Sequence, residues 1–395
     1  MRFGSVVILS GVRTAIGGFG GSLAGLAPFE LGTITAREAI KRSGVDASAI
    51  DHAVYGHIIT TAPQDAYLAR HIAREAGMPD SAGALNVNRL CGSGVQALLS
   101  AAQQIALGDS CLALAGGTES MSRGATLLPP QSRSGLHMGH AVITDLTLGI
   151  LSDPFGSGHM GITAENIAKQ YGLAREDVDI FAMESHHKAA RAISEQRFTG
   201  QIVPVSVRTG KKEYIFDQDE HVRAGVTLDD LAGLKPAFQK DGIATAGNSS
   251  GLNDGAASLV LADADEAQRR GLTPRARLLV GTSTGVEPHL MGLGPIPAVT
   301  RCLSQAGLSI GDIDVIESNE AFAAQAMAVA RSLDFPAERL NPNGGAVGLG
   351  HPVGATGAIL TLKALAELER TGGRYGLITL CIGGGQGIAM LIERC

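Results

Sequence analysis

An internal repeat constrains the fold of this chain more than any other feature. Ser43-Gly-Val-Asp-Ala-Ser-Ala-Ile-Asp-His-Ala-Val-Tyr-Gly56 aligns without gaps on Ala306-Gly-Leu-Ser-Ile-Gly-Asp-Ile-Asp-Val-Ile-Glu-Ser-Asn319. Each copy reads as a helix end, a turn and a strand. The offset is 263 residues (306 − 43), and the same offset lays Cys91-Gly-Ser-Gly94 on Gly354-Ala-Thr-Gly357. A helix and an apolar strand follow in both places, Cys111 to Ala115 first and Tyr375 to Leu380 second. Both strands are expected to end in Gly-Gly, at Gly116-Gly117 and Gly383-Gly384. Three matches in order imply a duplicated chain. Strands alternating with helices predict parallel sheets covered on both faces.

Ser122 to Asn248 has no counterpart in the second half. It is rich in Arg, Lys, His, Pro and Met, and Arg175 to Gln196 reads as a helix. A charged insertion beside two glycine-rich turns suits a cofactor or substrate lid.

At 395 residues the chain predicts two or three packed units. Its 53 glycines are not periodic but gather at turns beside apolar runs. A net charge of -6 argues against a nucleic-acid binder. The apolar run Val6 to Leu9 is a strand, too short for a signal peptide, and no run approaches the ~18 apolar residues of a membrane span. The terminus Ile392-Glu-Arg-Cys395 is neither a peroxisomal address nor a prenylation box, so the cytoplasm is the expected location. Five scattered cysteines without Cys-x-x-Cys spacing make neither a disulfide framework nor a zinc site.

Two of those cysteines carry the chemistry. Cys91 lies in Asn88-Arg-Leu-Cys-Gly-Ser-Gly94 at a helix start, where unpaired N–H groups favour a thiolate. Cys381 follows an apolar strand in Leu380-Cys-Ile-Gly-Gly-Gly-Gln-Gly387. Their glycine flanks suit close approach of a ligand better than core packing. His351, in Gly350-His-Pro-Val-Gly-Ala-Thr-Gly357, adds an imidazole on a third turn. Two thiols and an imidazole suggest covalent catalysis with a separate proton transfer. Cys111, Cys302 and Cys395 read as buried small hydrophobes. His186-His187 reads as a solvated helix face. For His159, ligand contact and loop packing stand level. No Gly-x-Gly-x-x-Gly, Gly-x-Ser-x-Gly or His-Glu-x-x-His is present.

Along essentially its whole length the chain resembles the thiolase family. The motifs that carry the likeness are Asn88 to Gly94, Gly116-Gly-Thr-Glu-Ser-Met121, His159-Met-Gly-Ile-Thr-Ala-Glu-Asn166, Thr245 to Gly255, Asn319-Glu-Ala-Phe322, Gly350-His-Pro352 and Cys381 to Gly385. Within the family it looks most like biosynthetic acetyl-CoA acetyltransferases, and among them the bacterial β-ketothiolases that supply polyhydroxyalkanoate synthesis. The resemblance implies an α/β fold, a five-layer αβαβα sandwich of two duplicated halves with an inserted loop domain. The first half would span 1–121 and 249–272, the coenzyme A-binding insertion 122–248, and the second half 273–395.

It further implies that Cys91 carries the acyl group, activated by His351, and that Cys381 removes a proton from the methyl of acetyl-CoA. His351 and a water on Asn319 would hold the enolate oxygen, and the N–H groups of Cys91 and Gly383 the tetrahedral oxyanion. Arg223 and Ser250 match positions contacting the adenosine and pantetheine ends of coenzyme A. Leu151, His159, Met160, Ala246, Leu252 and Met291 would line the pantetheine channel, and Ala321 and Phe322 would flank the acyl group. No metal and no cofactor is expected; acetyl-CoA, acyl-CoA and coenzyme A are substrates and products. The implied assembly is a homotetramer of dimers, joined through the loop Leu127 to His140, with short C4–C6 acyl substrates. Asp65-Ala-Tyr-Leu68 and Gly348 depart from the family pattern, and the first leaves acyl-chain preference open. A decarboxylating β-ketoacyl synthase would carry a histidine where Asn319 stands and lack Cys381. A non-catalytic lipid binder would lose one of Cys91, His351 and Cys381.

Overall fold

The computed structural model describes residues 2–135, 138, 140, 142–210 and 212–395. In chain order its main elements are β1 (Val6–Arg13), α1 (Pro28–Ser43), β2 (His52–Gly56), α2 (Leu68–Glu75), β3 (Gly83–Val87), α3 (Ser93–Leu107) and β4 (Leu112–Ser120). The inserted segment holds α4 (Met160–Tyr171), α5 (Arg175–Ser194) and a hairpin of β5 (Val205–Thr209) and β6 (Lys212–Phe216). Then follow β7 (Asn253–Asp263), β8 (Ala276–Gly285), α6 (Pro295–Ala306), β9 (Val315–Ser318), α7 (Ala323–Ser332), α8 (Val353–Thr371), β10 (Tyr375–Ile382) and β11 (Gln386–Arg394).

The strands form one mixed sheet in the order β9-β10-β11-β8-β1-β7-β4-β2-β3. Only Val7–Arg277 and Ile8–Ala276 join β1 to β8, so the sheet divides there. Outward from that junction the first half runs β1-β7-β4-β2-β3 and the second β8-β11-β10-β9. A parallel bridge from Ile316 to Leu340 stands where β3 stands in the first. Alternating side chains of one strand serve two cores. Ala113 and Ala115 of β4 face the central layer of α3 and α8, while Leu112 and Leu114 face α1 and α2. In the second half, Ile378 and Leu380 face the central layer, and Leu377 faces the core beneath α6. The layers therefore run α1/α2, sheet, α3/α8, sheet, α6.

Two expectations from the repeat are corrected. The sheet is not parallel throughout: β2 is parallel to β3 and β4, and β9 to β10, but β1, β7, β8 and β11 are antiparallel to their neighbours. The reason is local. A short turn joins β10 to β11, and parallel strands need a crossover of a dozen residues or more. Nor does the first strand end at Gly116-Gly117; β4 runs through both to Ser120. A Cβ on Gly117 would strike the carbonyl of Gly354, so this glycine admits the start of α8. The repeat-related Gly94 and Gly357 meet where α3 crosses α8, and a Cβ on Gly94 would lie 2.7 Å from the backbone nitrogen of Ala358.

The insertion is clamped to both halves. Arg13 and Asp219 form a fully buried bidentate pair at 2.7 and 2.9 Å. The helices α4 and α5 share a core with Ala323, Ala324 and Val347 of the second half. Leu136, His137 and Gly139 of the expected tetramer loop lie outside the described residues. Among those described, no helix is long and apolar enough to cross a membrane.

Candidate active site

Cys91 is presented by a locked turn between β3 and α3. Asn88 Oδ1 accepts the N–H of Leu90 at 3.1 Å, and Ser93 Oγ accepts that of Arg89 at 2.7 Å. Leu90 is held at φ 45°, a left-handed conformation costly for a branched residue. The half-buried thiol packs with Leu90, Leu151 and Leu252 around a small core of Ile58, Ile59, Met121 and Val353. Burial dominates its acidity and pushes the thiol up to about 11, against the N–H groups of Gly383 and of Cys91 itself, which favour the thiolate. The N–H groups favour the thiolate, as expected, but burial outweighs them, so at neutral pH Cys91 is a thiol that needs a base.

His351 is built to be that base. Its backbone N–H is tied to Asn253 Oδ1 at 2.9 Å. The Thr356 hydroxyl donates its one proton to the carbonyl of Pro352 at 2.9 Å, so toward His351 Nδ1, 2.7 Å away, it can only accept. The proton therefore sits on Nδ1 and the lone pair on Nε2. Burial drives the imidazole down to about 4, so it is neutral at pH 7. Asn319 Nδ2 stands 3.4 Å from Nε2, and Asn319 Oδ1 is buried without a partner among the described residues.

Cys381, the last residue but one of β10, is fully buried, contrary to the reading of its glycine flank as unfit for a core. It shares a cluster with Met160, Ala164, Met291, Ala321 and Phe322. Burial, and then the neighbouring Cys91, push its thiol strongly upward. Met160 and Leu90 crowd Gly383, so a side chain there would have to push their ends aside. The two thiols thus occupy adjoining apolar clusters, with Leu90 packed against both.

Of the expected substrate contacts, Met160, Met291, Ala321 and Phe322 share the cluster of Cys381, and Leu151 and Leu252 that of Cys91. His159 caps α4 through Nδ1, which accepts the N–H of Gly161 at 3.1 Å, and its ring stacks on Phe238 with centroids 4.7 Å apart. Phe238 meets Phe322 edge-on at 5.8 Å. Ser250 donates its N–H to Ala321 at 3.0 Å. Ala246 and Arg223 are exposed, and Arg223 has no carboxylate partner among the described residues. His186 is buried, not solvated: its Nδ1 accepts the N–H of Arg223 at 3.1 Å. His187 is exposed, as expected of a solvated face, with Nε2 3.0 Å from the carbonyl of Val226. Of the three cysteines read as buried, Cys302 is so, whereas Cys111 and Cys395 are exposed.

Family models for the thiolase N-terminal domain and the thiolase C-terminal domain match residues 6–265 and 272–394. The chain belongs to the thiolase family. It is 54% identical to the beta-ketothiolase BktB of Cupriavidus necator over 390 residues, 98% of this chain and 99% of that one. Among solved structures, the Bacillus anthracis acetyl-CoA acetyltransferase superposes with a TM-score of 0.97 at 45% identity, over 100% of both chains. Human mitochondrial 3-ketoacyl-CoA thiolase gives 0.98 at 37% identity, also over 100% of both.

Sequence reading of this thiolase missed Thr356, Asn253 and Phe238. Thr356 stands inside a quoted motif, five residues after His351, and a hydroxyl at that spacing on a helix start was its only signal. Asn253 also stands inside a family motif, Thr245 to Gly255, but its bond to His351 forms across the fold, and Phe238 carries no local pattern.

Proposed function

We propose that this thiolase is an acetyl-CoA acetyltransferase (β-ketothiolase), reversibly condensing an acyl-CoA with acetyl-CoA to a 3-ketoacyl-CoA through an acyl-cysteine. The observation that carries the reading is the pairing of a half-buried and a fully buried thiol with one buried imidazole whose Nδ1 is bound to Thr356. His351 Nε2 takes the proton of Cys91, and the thiolate attacks the thioester carbonyl. The N–H groups of Cys91 and Gly383, which already converge on the sulfur, receive the oxyanion. The departing coenzyme A thiolate takes its proton from Cys381.

Cys381 is then the thiolate, and burial makes it a strong base for the weakly acidic methyl of acetyl-CoA. The carbanion attacks the acyl-cysteine, and Cys91 leaves with the proton held on His351. Every group ends as it began. The imidazolium of His351, with a water on the unpartnered Asn319 Oδ1, stabilises the enolate oxygen. Arg223 and Ser250 are assigned to coenzyme A, with Leu151, His159, Met160, Ala246, Leu252 and Met291 along the pantetheine and Ala321 and Phe322 beside the acyl group. No further cofactor enters this scheme. Short acyl chains, a supply role in polyhydroxyalkanoate synthesis, a cytoplasmic location and a homotetramer complete the proposal. A coupled assay of acetoacetyl-CoA cleavage by free coenzyme A, extended to 3-ketovaleryl-CoA and 3-ketohexanoyl-CoA, tests it. Turnover that falls from the first to the last supports the short-chain reading, and no cleavage of any of them refutes the activity.

A further inference from the structure

Behind Cys91 lies a buried charge cluster that the reaction does not use. His57, directly after β2, has Nδ1 3.1 Å from Glu119 Oε1 and 3.2 Å from the carbonyl of Thr118. Its Nε2 is 3.5 Å from Asp65 Oδ2, an ion-pair distance longer than a hydrogen bond. Both ring nitrogens thus face acceptors only, which calls for a proton on each. Asp65 and Glu119 are the charged side chains that face the ring among the described residues; Asp65 comes from the turn Pro63–Tyr67 and Glu119 from β4. All three are buried.

Glu119 links this cluster to the catalytic machinery. Its Oε2 accepts the N–H of Gly354 at 2.9 Å, three residues after His351, and that of Ile58 at 3.2 Å. Its Oε1 accepts the N–H of Ile59 at 3.1 Å. Ile58 and Ile59 are the residues packed against Cys91. A carboxylate so placed opposes formation of a thiolate on Cys91.

We propose that His57 is an electrostatic positioning residue, a buried imidazolium whose charge offsets Glu119 and so sets the acidity of the Cys91 thiol. The cluster of two carboxylates and one imidazolium carries a net −1, and Asp65, within the segment that departs from the family pattern, tunes that sum. Burial works against the charge on His57, but Glu119 and then Asp65 overcome it and hold the ring at about 10, so it stays charged throughout the working range. The inference rests on Cys91 as the acyl carrier, but its test reads thiol chemistry and not turnover.

The test is the pH dependence of Cys91 alkylation by iodoacetamide, followed by mass spectrometry of its peptide, with the exposed Cys111 and Cys395 as internal controls. His57→Gln leaves the cluster at −2 and should move the Cys91 profile to higher pH by on the order of half a unit to one unit, a threefold to tenfold slower reaction at neutral pH. Asp65→Asn leaves it at zero and should move the profile the opposite way. Opposite shifts, with the controls unmoved, support the proposal. Profiles that stay fixed, or that move in the same direction in both variants, overturn it. Should His57→Gln not fold, Asp65→Asn carries the same sign test alone, and retention of thiolase turnover is not required for either reading.

Discussion

The tautomer of His351 hangs on one hydroxyl, so Thr356→Val is the most telling single change. Valine keeps the shape and removes the acceptor 2.7 Å from Nδ1. Two outcomes are then open to the buried ring, and both are costly. It can keep its proton on Nδ1 with no partner, a loss of about 1–3 kcal/mol for an unsatisfied buried donor. Alternatively it can move the proton to Nε2, which abolishes the base that must accept the Cys91 proton. At 1.36 kcal/mol per tenfold, the first outcome alone corresponds to a loss of roughly 5-fold to 150-fold in kcat. Thr356→Ser keeps the hydroxyl and should retain most activity. Steady-state acetoacetyl-CoA thiolysis, with the Cys91 alkylation rate at pH 7 as a second readout, measures both effects. If Thr356→Val stays within twofold of the unaltered enzyme in both, the hydroxyl does not fix the tautomer and the derivation of the base fails.

Two further outcomes are expected. Gly94→Ala would place a methyl 2.7 Å from the backbone nitrogen of Ala358, where neither helix can yield. Overpacking of this kind costs about 1–3 kcal/mol, which calorimetry should register as a drop in Tm, while Gly4→Ala, with open space around it, should leave Tm unchanged. Acid should destabilise the fold before the carboxylates titrate. Burial holds His351 and His186 at about 4, below their ordinary 6.5, so the unfolded chain binds more protons and stability falls as pH drops from 6.5 to 4. Each group contributes on the order of 3 kcal/mol at most, and urea midpoints at pH 7.5 and pH 5 should differ accordingly; equal midpoints would refute it.

Much of the architecture was legible because duplication writes the same local physics twice. The offset of 263 residues carries β2 onto β9 and β4 onto β10, and it pairs the two glycines where α3 and α8 cross. Strand direction was not legible, because Cys381 to Gly387 reads equally as a strand end before a helix or as a hairpin. The turns bearing Cys91, His351 and Cys381 could be read from their glycines. Their acidities could not, since burial outweighs the helix start at Cys91 and only the packed fold sets burial. The partners that hold the site, Asn253, Glu119 and His57, lie far apart in sequence and come together only when β7, β4 and β2 pair side by side in the sheet. His186 misled for the same reason: a polar pair on a charged helix looks solvated until Arg223 closes over one face.

The central claim is that the two thiols have different tasks, and hydrogen exchange separates them most directly. Cys381→Ser should still gain an acetyl group on Cys91 when mixed with acetyl-CoA, seen as an adduct in intact-protein mass spectrometry. It should fail to exchange the methyl protons of acetyl-CoA for solvent deuterium. Cys91→Ser should give no adduct and should retain only some exchange, because Cys381 is a thiol until coenzyme A departs with its proton. If Cys381→Ser exchanged those protons at the rate of the unaltered enzyme, another group, His351 foremost, would be the base, and the two-thiol account would be contradicted.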